Sequence, residues 1–215
     1  VAALVGTAEH AVRQAQAGVD LIIAAGGEAG GHCGEVGTMV LIPEVSAALE
    51  AYPQTTLLAA GGIVTGRQMA AAMCMGAAGV WCGSVWLTTS EAETPPVVKD
   101  KMLAARSGDT VRSRSRTGKF SRQLRSAWTD AWEAAGAPAP LPMPLQTALV
   151  TPYLNLVDKL ADGGHDGARE LSTYYVGQGV GMMNESLTAR ATVQALREDF
   201  LDAYERLGGF IETGM

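Results

Sequence analysis

The sequence has little cysteine, little charge and few aromatic residues. Three cysteines among 215 residues, none in a Cys-x-x-Cys pair, exclude a disulfide framework and indicate no zinc or other metal site. Only 18% of the residues are charged and the formal net charge is −6, which excludes nonspecific nucleic-acid binding as the main role, because such binding needs many cations against the phosphates. We therefore expect a protein of a reducing compartment, the cytoplasm, without a nucleic-acid partner.

The chain also lacks a long uninterrupted apolar run. Residues 69–87 carry no charge, but Gly76, Gly79 and Gly83 interrupt them, which is typical of a buried helix followed by a strand of a parallel sheet. We expect no signal peptide, because the first residues read as a short strand. Because 47% of the 215 residues are hydrophobic, we expect a globular protein with one substantial core and no membrane partner.

Strand-like and helix-like segments alternate through the first 84 residues. Helix starts are signalled locally; Thr65 and Gln68, for example, have the spacing of a capping box. The predicted strands are residues 1–5, 21–25, 56–60 and 79–82, and the predicted helices are residues 7–17, 42–51 and 65–75. This alternation predicts an α/β fold with a parallel sheet, either doubly wound or a barrel. Four units are half of a (βα)8 barrel, so either the sheet is small and open or the N-terminal half of the barrel is missing from this chain.

The remaining residues are predicted to be helical. Trp128 and Trp132 are four residues apart in a predicted amphipathic helix over residues 121–135. Ser186 is the expected cap of a long final helix over residues 187–207. We therefore divide the chain into βα units at residues 1–90, a helical lid subdomain at 91–183, and a final segment at 184–215 whose helix packs back on the sheet.

Six glycines and one histidine lie in residues 26–37, directly after the second predicted strand. Glycine has no Cβ and adopts positive φ easily, so such a loop is typical of a place where backbone amides approach a phosphate or a flat ring. Three successive strands end in glycine, and the carboxyl ends of parallel strands lie on one face. We expect Gly61-Gly62 and Gly83-Ser84 to cradle a phosphate there, with His32 nearby. The simpler alternative is a βα turn whose histidine is merely exposed.

The sequence contains three motifs, at residues 27–32, 59–66 and 79–84. Their order and spacing resemble those of the nitronate monooxygenase family, also called 2-nitropropane dioxygenases. The resemblance covers residues 1–95 closely and residues 117–122 more weakly. It implies a (βα)8 TIM barrel that binds FMN non-covalently, with His32 as the catalytic base. The cofactor-binding positions that it implies are Ala25, Gly30, Gly31, Gly62, Trp81, Cys82, Gly83 and Ser84.

Two departures from the family pattern affect the flavin ring rather than the phosphate. The family often has glutamine at the positions of Ala25 and Trp81, and commonly threonine at the position of Ser84. Ser84 preserves the hydroxyl, so phosphate binding is expected to remain. The loss of both glutamines changes the surroundings of the flavin ring and thereby the substrate.

The resemblance implies an FMN-dependent oxidoreductase that oxidises a small nitronate or a related carbon acid with O2. Histidine suits the role of base, because an unperturbed imidazole has a pKa of about 6.5 and accepts a carbon-bound proton near neutral pH. A flavin-dependent dehydrogenase or enoyl reductase acting on an acyl-CoA-like substrate is a second interpretation. A non-catalytic βα protein that binds a phosphate ligand is a third.

Six of the sixteen basic residues lie within residues 112–125. They are Arg112, Arg114, Arg116, Lys119, Arg122 and Arg125. One interpretation is a solvated loop; the other is a subsite for the phosphates of CoA, because arginine forks bind phosphate well. Tyr174, Tyr175 and Gln178 beside a glycine-rich loop are candidates for the border of the substrate pocket.

Overall fold

The structure, a computed structural model, describes residues 1–212. Its strands are β1 (Ala2–Val5), β2 (Leu21–Ala25), β3 (Gly31–His32), β4 (Thr56–Ala60), β5 (Gly79–Trp81), β6 (Thr110–Ser113) and β7 (Ser121–Leu124). Its α-helices are α1 (Ala8–Gln16), α2 (Thr38–Ala48), α3 (Gly66–Cys74), α4 (Pro96–Ala104), α5 (Ala127–Glu133), α6 (Leu145–Asp162), α7 (Asp166–Leu171) and α8 (Ala189–Glu212). Short 3-10 helices cover Ser84–Thr88, Ser107–Asp109 and Gln178–Met182. No helix within these residues is long and apolar enough to cross a bilayer.

Strands β1, β2, β4 and β5 form one parallel sheet in that order. Parallel neighbours require crossover connections, which α1, α2 and α3 provide in turn. Ala60 pairs with Ala25 on one side and with Trp81 on the other, so the carboxyl ends of β2, β4 and β5 lie level. The prediction of an α/β fold with a parallel sheet is confirmed.

Two of the helix starts follow local signals. The Thr7 side chain accepts a hydrogen bond from the His10 amide at 3.2 Å and caps α1. Thr65 and Gln68 form the predicted reciprocal capping box of α3. Both caps involve residues three apart in the chain, which is why the sequence alone indicates them.

Helix α2 begins at Thr38, four residues before the predicted start at residue 42, and therefore contains Pro43 in its interior. Its N-cap residue, Gly37, has no side chain to supply the cap. The carboxylate of Glu28 replaces it, because both of its oxygens accept the Thr38 amide, at 2.9 and 3.1 Å. A cap from ten residues upstream was not predicted.

The main core lies between the parallel sheet and helices α1, α2 and α3. Fully buried side chains include Ile22, Leu41, Ile42 and Val45. Burying each such side chain contributes roughly 1.5–3 kcal/mol. On the opposite face, Ile23, Ala25 and Ala60 form a second buried cluster. Strand β2 is thus buried on both faces, which explains why its sequence is continuously apolar.

A second, antiparallel sheet has the order β3, β7, β6. The predicted helix over residues 121–135 is wrong at its start, since residues 121–124 are a buried strand and α5 covers only Ala127–Glu133. Strand β7 has a neighbour on each side, so long-range backbone hydrogen bonds outweigh the local helical period there. The prediction that residues 91–183 are helical is therefore wrong in part, because they include two strands.

Helix α8 begins at Ala189, two residues after the predicted start at residue 187. It packs mainly on α3, whereas the prediction was that it packs back on the sheet. Gly66 allows this contact, because a Cβ there would overlap the backbone of α8 at Leu196 and Phe200. Asp199 accepts hydrogen bonds from the Arg67 amide at 2.6 Å and from its Nε at 2.7 Å. Residues 213–215 of the predicted final segment lie outside the described residues.

Candidate functional site

A cavity of about 300 Å³ lies at the carboxyl ends of β2, β4 and β5. The loops after these three strands line it, together with the start of the Ser84–Thr88 3-10 helix and with Tyr174, Tyr175 and Gly179. Its lining includes Ala25, Gly30, His32, Gly61, Gly62, Trp81, Gly83, Ser84, Tyr174 and Tyr175. The expectation that the glycine-terminated strands open on one face is confirmed.

His32 is an exposed side chain on β3 that lines the cavity. Its Nε2 lies 2.8 Å from Oγ1 of Thr117, which is 85 residues further along the chain. Thr117 is buried, and its hydroxyl also lies 3.0 Å from the carbonyl oxygen of Lys119. The imidazole is thus held by a hydroxyl that is itself held by backbone.

Arg122 supports the histidine loop from behind. Its Nε and Nη2 donate to the carbonyl oxygen of Gly27 at 3.0 and 2.8 Å, and its Nη1 lies 3.0 Å from Oγ1 of Thr110. Burial lowers the pKa of the Arg122 guanidinium. Because its backbone pairs with Gly31, Arg122 binds the loop that carries His32 through both main chain and side chain.

Glu28 and Thr38 connect the loop after β2 to the loop after β4. Oγ1 of Thr38 lies 2.8 Å from Oε2 of Glu28 and 3.1 Å from the carbonyl oxygen of Gly61. The Gly61 and Gly62 backbones have φ values of 112° and 67°, which favour glycine. The carboxylate therefore connects, through Thr38, two of the loops that line the cavity.

The glycine-rich loop at residues 176–183 closes one side of the cavity. The Gly177 amide donates to Oγ of Ser84 at 2.9 Å, and the Gln178 amide donates to the carbonyl oxygen of Glu28 at 2.9 Å. Gly30 lies directly against this loop, since a Cβ on Gly30 would be 2.7 Å from the carbonyl carbon of Val176. These contacts connect the loop at residues 176–183 to the loop after β2 and to the loop after β5.

The structure brings together most of the residues predicted for the site. His32, Ala25, Gly30, Gly62, Trp81, Gly83 and Ser84 line the cavity. Gly31 and Cys82 do not lie in its lining. Gly31 is used for the β3 pairing, with a φ of 75°. Cys82 packs against the core, its carbonyl oxygen accepts Trp86 Nε1 at 2.8 Å, and burial raises the pKa of its thiol.

Sequence reasoning named the two tyrosines of the cavity but missed Leu4 and Thr117. Tyr174 and Tyr175 line the cavity, with the Arg116 guanidinium 5.8 and 5.0 Å from their ring centres. Leu4 is the next-to-last residue of β1 and lines the cavity, a position that strand alternation could have indicated. The role of Thr117 depends on tertiary contacts, for which the sequence holds no signal beyond the weak motif at residues 117–122.

The basic run is neither a solvated loop nor a single anion patch. Arg122 is buried and Arg116 is half-buried; Arg116 donates to the carbonyl oxygen of Thr173, and burial lowers the pKa of its guanidinium. Arg112 lies over the Phe120 ring at 5.5 Å. The exposed cations of the run are Lys119 and Arg125. The pairing of β6 with β7 places Arg112 directly opposite Arg122, whereas the other four basic residues of the run lie outside these two strands.

Within residues 1–212, no group of three or more His, Cys, Asp or Glu side chains is arranged to hold a metal ion. The cavity itself presents the imidazole of His32, the hydroxyl of Ser84 and the backbone of its glycine loops. Such a combination binds an anionic or planar ligand and moves a proton at one point.

The sequence and the fold are similar to those of known proteins. The family model described as nitronate monooxygenase matches residues 1–199. A Mycobacterium tuberculosis protein, provisionally named a monooxygenase, is 58% identical over 212 residues, which are 99% of this chain and 56% of that protein. Nitroalkane oxidase from Streptomyces ansochromogenes superposes with a TM-score of 0.82 at 28% identity, covering 96% of this chain and 58% of that one.

A further relative carries the name of a dehydrogenase of a CoA ester. It is the (3aS,4S,5R,7aS)-5-hydroxy-7a-methyl-1-oxo-octahydro-1H-indene-4-carboxyl-CoA dehydrogenase of Mycobacterium tuberculosis. The two sequences are 41% identical over 132 residues, which are 60% of this chain and 36% of that protein. This chain thus spans between about a third and three fifths of the length of the three proteins compared.

Proposed function

The chain belongs to the nitronate monooxygenase family, and from this premise we propose that it is an FMN-dependent oxidoreductase that oxidises a small nitronate or a related carbon acid with O2. The observation that carries the proposal is the cavity itself. An exposed histidine and the glycine loops of three neighbouring parallel strands converge on it. A carbon acid needs a base, and a phosphorylated cofactor needs close backbone approach.

The residues of the cavity fit a phosphorylated flavin. Gly83 has nothing within 4 Å of the position a Cβ would take, so its backbone is open to a ligand. The Ser84 hydroxyl accepts the Gly177 amide and still has its own proton to donate. In this proposal Gly62, Gly83 and Ser84 hold the phosphate, while Ala25, Gly30 and Trp81 contact the flavin; Gly31 and Cys82 support this wall through their backbone.

FMN, when bound, supplies the electron-transfer chemistry that amino-acid side chains lack. The protein supplies the proton transfer. A nitronate has already lost its α-proton and needs no base. When the substrate is a carbon acid that keeps this proton, such as a neutral nitroalkane or an acyl thioester, His32 accepts it and the electron pair of the broken C–H bond remains on the carbon. Thr117 and the β3–β7 pairing hold the imidazole in position at the cavity while this occurs.

The cofactor is tested by absorbance of the purified protein, followed by titration with FMN and with riboflavin. We expect flavin bands, or their appearance on adding FMN, and tighter binding of FMN than of riboflavin because the phosphate is bound. Protein that is colourless and binds neither flavin would contradict the proposal. Phosphate-dependent binding without turnover of any carbon acid would support the third interpretation, a non-catalytic phosphate-ligand protein.

A second candidate is a flavin-dependent dehydrogenase or enoyl reductase acting on an acyl-CoA-like substrate. The relative named as a CoA-ester dehydrogenase favours it, and Lys119 and Arg125 are exposed cations available to CoA phosphates. Turnover of an acyl-CoA is compared with that of the matching thioester lacking the nucleotide. Lys119→Ala and Arg125→Ala should raise KM for the CoA substrate alone. Equal effects on both substrates would remove these cations from recognition.

We also propose that the parallel sheet is the C-terminal half of a (βα)8 barrel, with residues 91–183 as a lid subdomain. Within residues 1–212, β1 and β5 each pair with one strand of the parallel sheet. Leu4 and Trp81 on these two strands are 64% and 50% exposed, although both line the cavity. Further strands beside β1 and β5 would cover both side chains. Limited proteolysis of a longer chain that includes such strands should show protection at both edges.

A further inference from the structure

We infer that Thr117 is a positioning residue that holds His32 in the tautomer protonated at Nε2, so that Nδ1 is the atom that accepts the substrate proton. The assignment of the accepting atom rests on the proposed function. The tautomer rests on the hydrogen bonds of Thr117 alone. The two statements are therefore tested separately.

The partners of Thr117 determine where its hydroxyl proton points. A threonine hydroxyl has one proton to donate and two lone pairs that accept. The carbonyl oxygen of Lys119, 3.0 Å away, can only accept, and it receives the hydroxyl proton. The amide of Lys119, 3.3 Å away, can only donate, and it occupies one lone pair.

The remaining lone pair of Thr117 faces Nε2 of His32 at 2.8 Å. A lone pair accepts only from a protonated nitrogen, so Nε2 carries the proton of the neutral imidazole. Because Thr117 is buried, reversing this arrangement would leave the carbonyl oxygen of Lys119 without the hydroxyl donor. Among residues 1–212, no hydrogen-bond partner of Nδ1 is found, and that atom keeps its lone pair.

This arrangement suits a base. When a substrate C–H bond breaks, its electron pair stays on the carbon and the proton forms a new N–H bond at Nδ1. The resulting imidazolium still donates from Nε2 to Thr117, and this hydrogen bond is strengthened by the positive charge. No proton has to cross the ring, so the tautomer is ready before the substrate binds.

The tautomer is measured directly by NMR of protein labelled with 15N-histidine. The chain has three histidines, so His32→Gln identifies the His32 signals by their loss. At a pH where the ring is neutral, we expect Nε2 to be the protonated nitrogen in the wild type and in Thr117→Ser. Thr117→Val should show exchange between tautomers. A wild-type His32 that is protonated at Nδ1 and unprotonated at Nε2 would overturn the inference, whether or not the protein turns over any substrate.

The kinetic consequence is measured on the FMN-loaded enzyme. Thr117→Val should lower kcat by up to about 10²-fold with little change in KM, because the base is misplaced while the substrate site is intact. Thr117→Ser should retain most of the activity. Thr151→Val, which removes an exposed hydroxyl on α6, is the matched control and should be unchanged. Wild-type kcat in Thr117→Val would refute the positioning role even if the tautomer is as inferred.

Discussion

Gly30 and Gly83 both line the cavity but differ in what surrounds them. A substitution at one therefore affects stability, and a substitution at the other affects ligand binding. Gly30 lies against the backbone of Val176 and Gly177, whereas Gly83 faces open space at the cavity. A methyl group on Gly30 therefore disturbs the protein itself. A methyl group on Gly83 disturbs only what occupies the cavity.

We expect Gly83→Ala to keep the melting temperature and to weaken FMN binding by about tenfold, the equivalent of ~1.4 kcal/mol. Gly30→Ala should lower both, because the loop at residues 176–183 must move. Thermal melting and flavin titration of the two variants provide the measurement. Gly208→Ala, in open space on α8, is the control that should slightly raise stability. Normal FMN affinity in Gly83→Ala would remove this position from the flavin site.

The second prediction at the residue scale concerns the base. His32 is exposed on β3, so replacing it with alanine leaves the core intact. We expect His32→Ala to bind FMN normally and to lower turnover by about 10²–10⁴, the usual range for a positioned base. Steady-state kinetics with neutral nitroalkanes and acyl thioesters, both of which carry an α-proton, give the measurement. Unchanged rates with both substrate classes would show that another group takes the proton.

At the scale of elements, the short pairing of β3 with β7 locates the histidine, and Arg122 secures it. Lysine carries the same charge but lacks the planar fork that reaches Gly27 through two nitrogens. Arg122→Lys should therefore lower the free energy of unfolding by about 1.5–3 kcal/mol. Turnover should fall as well, because strand β3 carries His32. Denaturant unfolding of Arg122→Lys is compared with that of Arg125→Lys, a substitution at an exposed residue that should hardly change the free energy of unfolding. Equal losses of stability in the two variants would show that the buried guanidinium of Arg122 contributes nothing specific.

The attachment of α8 to α3 predicts a pH dependence. Hydrogen bonds from Arg67 lower the pKa of Asp199 from its ordinary value of 3.8. A carboxyl whose folded pKa is lowered stabilises the protein above its unfolded pKa, and this contribution is lost as the pH falls through the folded pKa. Asp199→Asn should therefore reduce the melting temperature at neutral pH. Its difference from the wild type should shrink in acid below the ordinary range of aspartate.

The control for this prediction is Glu205→Gln on the same helix, which removes an exposed carboxyl. Its melting temperature should follow the wild type across the whole pH range. A deficit of Asp199→Asn that is the same at every pH would show that the ion pair is not what attaches α8.

At the scale of the whole molecule, several contacts cross the proposed division at residue 90. The pairing of β3 with β7, the Arg122 contact to Gly27 and the Gly177 contact to Ser84 all join residues 1–90 to residues 91–183. These contacts surround the cavity. The two segments therefore form the site together, although each has buried clusters of its own.

We expect the chain to unfold in one cooperative transition. Far-ultraviolet circular dichroism should give the same midpoint as tryptophan fluorescence, which reports Trp81 and Trp86 in the first segment and the Trp128–Trp132 pair in the second. Trp128→Phe and Trp132→Phe allow the first segment to be followed more selectively. Two separate midpoints would support independent folding of residues 1–90 and 91–183.

Much of the parallel half of the fold was predictable from neighbouring residues. Apolar runs, the Thr7 cap and the Thr65–Gln68 box mark the elements of the parallel sheet, because each signal acts within one helical turn or one strand. The second half was predicted less well. Residues 121–124 have a helical period, but strands that are distant in sequence make them extended.

The sequence by itself determined the parallel α/β fold, the glycine loops after three strands and the family, since strand alternation and motif spacing are local properties. Only the tertiary structure decided that Thr117 meets His32 and that Arg122 is buried beneath Gly27. These pairs are 85 and 95 residues apart. Contacts over such separations depend on how two sheets pack, and that packing energy belongs to no single segment of the chain.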